Sequence, residues 1–247
     1  MGIIASLSMD SAVPFYSLGE WSEKFPWILA GITYKGSATD PFDLRLEDQK
    51  SRDRMERIWQ SAGFGGLVRI PQVHGTDLAV HDSDLAGLIV LEDSADGHAT
   101  SGPGMLLAIT VADCVPVYLL DSENRVVMLL HAGWRGVASG IINKGIELFS
   151  ERWQSNLDDI YVHLGPAICG SCYEVGPEVF ENLGLIPPAE PTPVNLRAIL
   201  EEQVSNLGVR EDRITISEHC TLCSGGDFFS HRKGDLGRQA ALIGIRP

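Results

Sequence analysis

Residues 105–136 read MLLAITVADCVPVYLLDSENRVVMLLHAGWRG, and this stretch decides how the chain folds. Two runs within it, residues 105–111 and 125–130, are apolar with β-branched side chains, which is typical of buried strands. Each run leads into a polar turn that carries a histidine or a cysteine. The turns read Ala112-Asp113-Cys114-Val115-Pro116 and His131-Ala132-Gly133-Trp134-Arg135-Gly136. The two strands are therefore expected to end in potential metal ligands.

Similar apolar runs and helical patterns continue along the chain. Further strands are predicted at residues 27–34, 67–71, 160–164, 213–217 and 240–245. Helical spacing of apolar residues predicts helices at 49–62, 137–153, 177–183 and 196–207. Because helices and strands do not alternate regularly, we expect an α/β (α+β) protein with mixed β-sheets and not a regular βαβ repeat. No repeat or linker divides the chain, so residues 1–247 are expected to form a single domain.

The composition limits the partners of the protein. A net charge of -14 opposes binding to phosphate backbones, so nucleic acid is not an expected partner. No apolar run approaches the roughly 18 to 20 residues that cross a bilayer, and residues 1–10 lack the pattern of a signal peptide. We therefore expect a cytoplasmic protein with no membrane partner, in which the five cysteines are reduced.

A third strand, predicted at residues 67–71, also leads into a turn with a potential ligand, Gln72-Val73-His74-Gly75. Strand ends at one sheet edge can bring distant residues together. Two imidazoles and one thiolate, from His74, Cys114 and His131, suit zinc, and three protein ligands leave a fourth position open, as in a catalytic site. In an alternative interpretation, Cys114 is a thiolate nucleophile and His131 is its base.

The remaining cysteines form two pairs, Cys169-x-x-Cys172 and Cys220-x-x-Cys223, as in a structural zinc ribbon. The 47 residues between the pairs far exceed the roughly 15 to 20 of the ribbon pattern. Cytosolic CxxC pairs also occur as free thiols. We therefore expect free thiols here, or residues that support the first metal site.

Several enzyme classes are excluded by their motifs. Zinc deaminases that act on cytosine need a glutamate two residues after a histidine, and none of the seven histidines has one. No H-x-H pair of a multicopper oxidase occurs, and neither a GxxxxGK[ST] phosphate loop nor a strand-linked GxGxxG is present.

Together, the motifs resemble the YfiH/YlmD-like laccase-domain family, also called the multicopper polyphenol oxidase or peptidoglycan editing factor family. The resemblance runs from about residue 31 to residue 244. Besides the three ligand motifs, it rests on Leu164-Gly165-Pro166-Ala167-Ile168, Cys172-Tyr173-Glu174-Val175, Cys220-Thr221, Phe229-Ser230-His231-Arg232 and Gly237-Arg238.

This resemblance implies a layered α/β/β/α domain, similar to the catalytic domain of a bacterial deamidating toxin. It also implies one zinc ion per chain on His74, Cys114 and His131, with copper as the alternative metal. The implied activity is that of a purine nucleoside phosphorylase on adenosine, inosine and methylthioadenosine, with adenosine deaminase activity beside it. The expected partners are purine nucleosides and phosphate, and the expected assembly is a monomer or homodimer.

If this chemistry operates, further residues acquire roles. Asp113, beside the cysteine ligand, would carry a proton during deamination. Arg52 and Arg135 are candidates to bind phosphate and substrate, because guanidinium pairs with phosphate in a bidentate way. Arg135 could instead clamp the neighbouring loop. His98 would line the pocket or cap a turn.

The N-terminal part departs from the family pattern. Ser51-Arg52 stands where Asn-Arg is usual, and Arg54 is close enough to compete for the role of Arg52. Leu44-Arg45-Leu46 stands where Leu-Asn-Leu is common, and the usual Gly-Gly pair after the first strand is reduced to Gly36.

Three alternative functions remain open from the sequence. The first is a Cys/His hydrolase or editing factor that acts on peptidoglycan precursors without metal. The second is a laccase-like polyphenol oxidase. The third is a metal-stabilised binding protein with no turnover. Metal analysis and an assay of nucleoside turnover distinguish these hypotheses.

Overall fold

The two strands predicted within residues 105–136 lie at the centre of two different sheets. The computed structural model describes residues 13–45, 48–82 and 86–247. Its strands are β1 (Phe15–Ser17), β2 (Ile28–Thr33), β3 (Gly66–Arg69), β4 (Leu78–His81), β5 (Gly87–Val90), β6 (Gly97–Thr100), β7 (Met105–Val111), β8 (Val115–Asp121), β9 (Val126–Ala132), β10 (Ile160–Leu164), β11 (Glu174–Val175), β12 (Thr192–Pro193), β13 (Ile214–Ile216) and β14 (Gln239–Ile245). Its α-helices are α1 (Gly19–Lys24), α2 (Gln49–Ser61), α3 (Trp134–Ala138), α4 (Ile141–Trp153), α5 (Pro177–Asn182) and α6 (Leu196–Asn206).

Two six-stranded mixed sheets organise the fold. The first has the strand order β1-β2-β14-β7-β3-β5, and the second has the order β13-β10-β8-β9-β6-β4. In the first sheet, β3 runs parallel to both β5 and β7, while β14 is antiparallel to β2 and β7. In the second, β9 is antiparallel to β8 and β6, while β4 and β13 pair in parallel with their neighbours. The predicted α/β class with mixed sheets is therefore confirmed.

The sheets pack face to face, and helices cover their outer faces. Alternate side chains of the central strands, such as Leu107 on β7 and Leu129 on β9, share one apolar core between the sheets. The intervening side chains of the first sheet point to its outer face, where Leu106 packs with Met55 of α2. On the far side, Leu130 packs in a cluster with α3, α4 and α6. This period-2 alternation produces the α/β/β/α layers that the resemblance implied.

The predicted helix at 137–153 is two helices, because Gly140 interrupts it. Gly140 has φ of 74°, a left-handed conformation that glycine adopts without strain. The chain therefore turns between α3 and α4, and α3 begins at Trp134, three residues before the predicted start. The sequence patterns did not reveal α1, β8 or the short strands β4 to β6.

No helix in the part of the chain that the structure describes is long and apolar enough to cross a membrane.

Candidate metal centre

His74 lies on a tight turn that follows β3. The residue has φ of 61°, which is uncommon for a residue other than glycine. The backbone N–H groups of Val73, His74 and Gly75 donate to the carboxylate of Asp96 at 3.1, 2.9 and 2.6 Å. Asp96 is fully buried, so these charge-assisted hydrogen bonds form in a protected environment. Asp96 thus holds the turn in its strained conformation.

A second side chain connects this turn to the neighbouring strand. Gln72 Nε2 donates to the carbonyl oxygen of Thr110 on β7, and Gln72 Oε1 accepts from the Thr110 N–H, both at 2.8 Å. The amide therefore continues the parallel pairing of β3 and β7 past Arg69, where their backbone register ends. His74 is in this way fixed relative to the sheet.

Cys114 lies in the turn between β7 and β8, where Asp113 has φ of 83°. The Asp113 carboxylate accepts from the hydroxyl of Thr221 at 2.5 Å and from the N–H of Arg232 at 2.7 Å. The Asp113 carbonyl accepts from the N–H of Ile168 at 3.1 Å. Segments distant in sequence therefore hold the turn that presents the thiol.

His131 lies near the end of β9, and Asp96 orients its ring. The distance between His131 Nδ1 and Asp96 Oδ1 is 2.8 Å, and both side chains are buried. With Nδ1 engaged, Nε2 is the nitrogen that remains for a metal. A carboxylate behind a ligating imidazole is the usual arrangement at metal sites, because it fixes the ring and raises its basicity.

The three predicted ligands come together. One ligand atom from each of His74, Cys114 and His131 lies within 4.8 Å of the others. A tetrahedral zinc centre separates such nitrogen and sulfur atoms by roughly 3.3 to 3.8 Å, given Zn–N and Zn–S lengths of about 2.0 to 2.3 Å. A Cβ added at Gly133 would lie 3.0 Å from His74 Cδ2 and 3.1 Å from Cys114 Sγ, so glycine keeps this space open. The donor set and its spacing fit a zinc ion.

Electrostatics favour the ligand form of Cys114. Burial alone would raise the pKa of this thiol, but His131 and His74 outweigh burial and lower the pKa to about 6. Burial alone would lower the pKa of His131, but Cys114 and Asp96 outweigh it and raise the pKa to about 9. Without metal, Cys114 and His131 therefore form a thiolate–imidazolium pair at pH values between about 6 and 9.

Two cavities adjoin the centre, and both are lined by His74, Cys114 and His231. The smaller cavity, of about 250 Å³, is also lined by the aromatic side chains of Trp134 and Tyr173. The larger, of about 400 Å³, is bordered by basic and polar groups. Its remaining lining residues are Arg69, Ile70, Pro71, Gln72, Thr110, Ala112, His131 and Arg238. None of the described residues that line this larger cavity is acidic.

A more voluminous cavity than these two, about 610 Å³, lies elsewhere. Residues 16–21 and 215–219 line most of it, together with His163, and it contains none of the three ligand residues. Volume alone therefore does not identify the chemical site, and we assign the site by its ligands.

The other predicted site residues are placed differently. Asp113 and Arg135 line the smaller cavity. Arg52 is exposed on α2 and is not among the described residues that line either cavity. Arg54 is buried and donates to Asp40 and to the carbonyl of Asp43, so it does not take the place of Arg52 at the centre. Of the departures from the family pattern, Leu46 lies outside the described residues.

His98 belongs to the interior of the second sheet and not to a cavity wall. It is fully buried on β6, and its Nδ1 lies 3.3 Å from Nε2 of His81. Burial lowers the pKa of His98 well below its ordinary value, with His81 acting in the same direction. Among the described residues, none pairs with His98 Nε2. The structure thus keeps His98 neutral and away from the centre.

Some residues at the candidate centre and its cavities carry no recognisable signal in the sequence. Asp96 lies two residues before His98, in a polar segment with no local pattern. Arg69 lies in the middle of the strand predicted at residues 67–71, where no pattern marks it as a binding residue. Three further residues that line the cavities, Arg238, Tyr173 and His231, lie within the motifs that carry the family resemblance. Their place in those motifs is the sequence signal that could have identified them.

Comparison with known proteins gives the family of the chain. Residues 43–246 match the family model described as multi-copper polyphenol oxidoreductase laccase. The chain is 34% identical to the purine nucleoside phosphorylase YlmD of Geobacillus stearothermophilus, over 90% of this chain and 92% of that protein. It is 33% identical to the adenosine deaminase RL5 of an unknown prokaryotic organism, over 72% and 74% of the two chains. The crystal structure of YlmD from Geobacillus stearothermophilus superposes with a TM-score of 0.81 and 29% identity, covering 98% of this chain and 100% of that one.

Proposed function

This chain belongs to the multi-copper polyphenol oxidoreductase laccase family, and we propose that it is a zinc-dependent purine nucleoside phosphorylase with a slower adenosine deaminase activity. The names of its relatives support the two reactions. The observation that carries the proposal is a three-ligand centre between an aromatic cavity and a basic cavity.

His74, Cys114 and His131 would hold the catalytic metal, a single zinc ion at this centre, and two imidazoles and a thiolate are ligands that zinc prefers. When bound, zinc supplies Lewis acidity and lowers the pKa of water. The protein prepares the ligands beforehand, because Asp96 orients His131 and fixes the turn of His74.

Phosphate would bind in the larger cavity. Arg69 and Arg238 both line it, and guanidinium groups match phosphate oxygens in a bidentate way. Burial lowers the pKa of Arg69 to about 10, so a bound anion would compensate a partly desolvated charge. In this arrangement, local arginines attract the anion although the chain carries a net charge of -14.

The nucleoside would bind in the smaller cavity, with the purine against Trp134 and Tyr173. Burial is the main reason that the pKa of Tyr173 rises to about 12, so its hydroxyl stays protonated and can donate a hydrogen bond. Phosphorolysis then joins a phosphate oxygen to ribose C1′ and breaks the C1′–N9 bond. The electron pair of that bond goes to the purine, which takes the proton of hydrogen phosphate. The products are the free base and ribose 1-phosphate.

Deamination would use the same cavity with water in place of phosphate. Oxygen adds to purine C6, the amino group leaves as ammonia, and adenosine becomes inosine. Asp113 lines this cavity, and two donors fix its carboxylate. We propose that Asp113 accepts the proton from water and passes it to the leaving amino group, with Arg135 beside the substrate.

The first prediction follows from the two cavities. Chromatography of adenosine incubated with zinc-loaded protein should show adenine only when phosphate is present, and slower inosine formation without phosphate. Arg69→Ala and Arg238→Ala should raise the KM for phosphate about 10- to 100-fold, since hydrogen bonds between charged groups contribute about 1.5–3 kcal/mol, and should affect deamination less.

Arg52→Ala is the matched control, because this exposed arginine lies on α2 away from the cavity linings. Its KM for phosphate should equal that of the wild type. The nucleoside proposal fails if neither adenine nor inosine forms at high enzyme concentration.

A Cys/His hydrolase that acts on peptidoglycan precursors is the second candidate, favoured by the thiolate–imidazolium pair of Cys114 and His131. A hydrolase of this kind needs no metal. Activity that survives complete zinc removal but is lost in Cys114→Ala would support it. Stoichiometric copper together with oxidation of a phenol would instead support a polyphenol oxidase, the activity in the family's description. Metal binding without turnover of any tested substrate would support a metal-stabilised binding protein.

A further inference from the structure

The four cysteines of the two CxxC pairs meet at a single point. The Sγ atoms of Cys169, Cys172, Cys220 and Cys223 all lie within 4.8 Å of one another, and Cys169 Sγ is 4.0 Å from Cys223 Sγ. A disulfide requires about 2.05 Å, and all five cysteines of the chain are free in the structure. Four thiolates around one zinc ion are roughly 3.8 Å apart, given a Zn–S length of about 2.3 Å.

The backbone brings the two pairs together although 47 residues separate them. Ala167 and Cys220 form a parallel bridge, in which the N–H of Thr221 donates to the carbonyl of Ala167 at 3.1 Å. The bridge extends the parallel pairing of β10 and β13, so the two cysteine-containing turns leave the same edge of the sheet side by side. The spacing of roughly 15 to 20 residues in a zinc ribbon applies to cysteine pairs joined by one local loop. Here the sheet edge brings the two pairs together, so the 47 residues between them do not prevent a shared metal site.

Each turn is held in the conformation that directs its thiols inward. The N–H of Cys169 donates to Cys220 Sγ at 3.2 Å, a contact that stabilises a thiolate. The N–H of Cys220 donates to the Ser224 hydroxyl at 2.8 Å, and the N–H of Gly225 donates to the carbonyl of Cys223. The thiols are therefore arranged by backbone contacts that do not depend on a bound ion.

A positive charge lies beside the cluster. Four thiolates and one divalent cation together carry two negative charges. Arg197 on α6 is buried and donates to the carbonyls of Ser217 and His219, the second of which directly precedes Cys220. The buried guanidinium offsets part of that negative charge, as electrostatic pairing of buried groups requires.

We propose that Cys169, Cys172, Cys220 and Cys223 bind a second metal ion, a zinc-type divalent cation coordinated by four thiolates. Four protein ligands leave no open position, so this ion is structural and not catalytic. The inference does not depend on the nucleoside activity, because it rests on a different set of side chains.

This structural site would position one wall of the proposed active site. Ile168 and Tyr173 flank the first cysteine pair and line the smaller cavity. Thr221 follows Cys220 and donates to the Asp113 carboxylate at 2.5 Å. Cross-linking the two turns therefore fixes both the aromatic wall and the orientation of Asp113.

The second prediction is a metal count in protein purified under reducing conditions. Elemental analysis should find two zinc ions per chain in the wild type and one in the double variant Cys172→Ser/Cys223→Ser. His74→Ala should also contain one, held by the cysteines. Ser171→Ala is the matched control, since it alters the same turn without removing a thiol, and it should retain two. One zinc in the wild type and an unchanged count in the double variant would overturn the proposal.

Cobalt substitution keeps the proposal testable if the double variant does not fold. His74→Ala loaded with cobalt should show the intense sulfur-to-cobalt charge-transfer absorption of a four-thiolate site, although its first centre is damaged. Absence of that absorption would overturn the assignment. So would elemental analysis that finds iron in place of zinc in the purified wild type, or mass spectrometry that finds a disulfide between the two pairs under reducing conditions. Because His74→Ala lacks the proposed catalytic centre, this result is independent of whether the nucleoside proposal holds.

Discussion

At the scale of single residues, the chemistry of the first centre depends on how Asp96, His131 and Cys114 share charge. Asp96 is fully buried and contacts His131 at 2.8 Å, so it stabilises the imidazolium form of that ring. The imidazolium in turn stabilises the Cys114 thiolate. Because the carboxylate also binds the turn of His74, one side chain serves both histidine ligands.

The third prediction concerns the pH dependence of Cys114 in metal-free protein. A thiol whose pKa is lowered to about 6 is ionised through neutral pH. Alkylation by iodoacetamide requires the thiolate. The rate at Cys114, followed by peptide mass mapping, should therefore rise through about pH 6 and stay level above it. His131→Gln removes the main stabilising charge and should move the midpoint towards that of an ordinary thiol. An ordinary midpoint in the unaltered protein would contradict the charge-pair assignment.

At the scale of secondary-structure elements, Gln72 joins the ligand turn to the end of β7. Its amide bonds to both the N–H and the carbonyl of Thr110, which backbone pairing with β3 no longer reaches. The side chain thus acts as one further residue of the parallel ladder. This pairing transmits the rigidity of the sheet to His74.

The fourth prediction is that Gln72→Leu weakens both the fold and the metal site. Leucine has a similar size but leaves the N–H and the carbonyl of Thr110 without their partner, and in this half-buried position the loss should be about 1 kcal/mol, the lower end of the range for unsatisfied buried groups. Urea unfolding of metal-free protein should show a loss of that size, and chelator competition should show weaker zinc binding. Gln60→Leu is the control, since Gln60 is exposed on α2, where its side chain donates to Glu56, and it should change neither value. Equal effects of the two substitutions would show that the Thr110 contact is unimportant.

The sequence predicted the elements that bury both faces. The strands β2, β3, β7, β9, β10 and β14 appear as apolar runs because side chains pack on each side of a layered sheet. The edge strand β13 was also predicted, although it is only partly buried. By contrast, β6 reads Gly-His-Ala-Thr and is buried by its neighbours despite its polar composition. Likewise β8 contains Pro116, which made the segment look like a turn. Tertiary packing, not local propensity, determines these strands.

At the sites, ligands were predictable where they follow an apolar strand, as Cys114 does. Asp96 was not, because its partners His74 and His131 are distant in sequence and no periodicity links them. The CxxC pairs were visible, but their separation suggested independence. The long-range bridge between Ala167 and Cys220 and the contacts between their cysteines bring the two turns together. Local patterns thus indicate which residues can bind a metal, while long-range pairing decides which of them do so together.

At the scale of the whole molecule, the first centre joins the two sheets. His74 follows β3 of the first sheet, and His131 lies on β9 of the second. Cys114 lies in the turn that crosses from one sheet to the other, between β7 and β8. An ion bound by all three is therefore a further cross-link between layers that share an apolar core and the hydrogen bond from the Tyr118 hydroxyl to the carbonyl of Gly31. The unfolded chain cannot hold these distant ligands together, so metal binding stabilises the folded state.

The fifth prediction is that zinc raises the melting temperature through this cross-link. With free zinc at about 1,000 times its dissociation constant, mass action adds about 4 kcal/mol to the free energy of unfolding. At about 2–4 °C per kcal/mol for a chain of 150–250 residues, this corresponds to roughly 8–16 °C. Calorimetry with and without a chelator should measure the shift in melting temperature for the wild type and for His74→Ala. In His74→Ala only the cysteine cluster can still bind zinc, so the wild-type shift should exceed that of the variant by this amount. Arg52→Ala should keep the full wild-type shift, because its side chain contacts neither site. If chelation lowers the melting temperature of the wild type and His74→Ala equally, the first centre does not connect the sheets, and its metal contributes nothing to the stability of the fold.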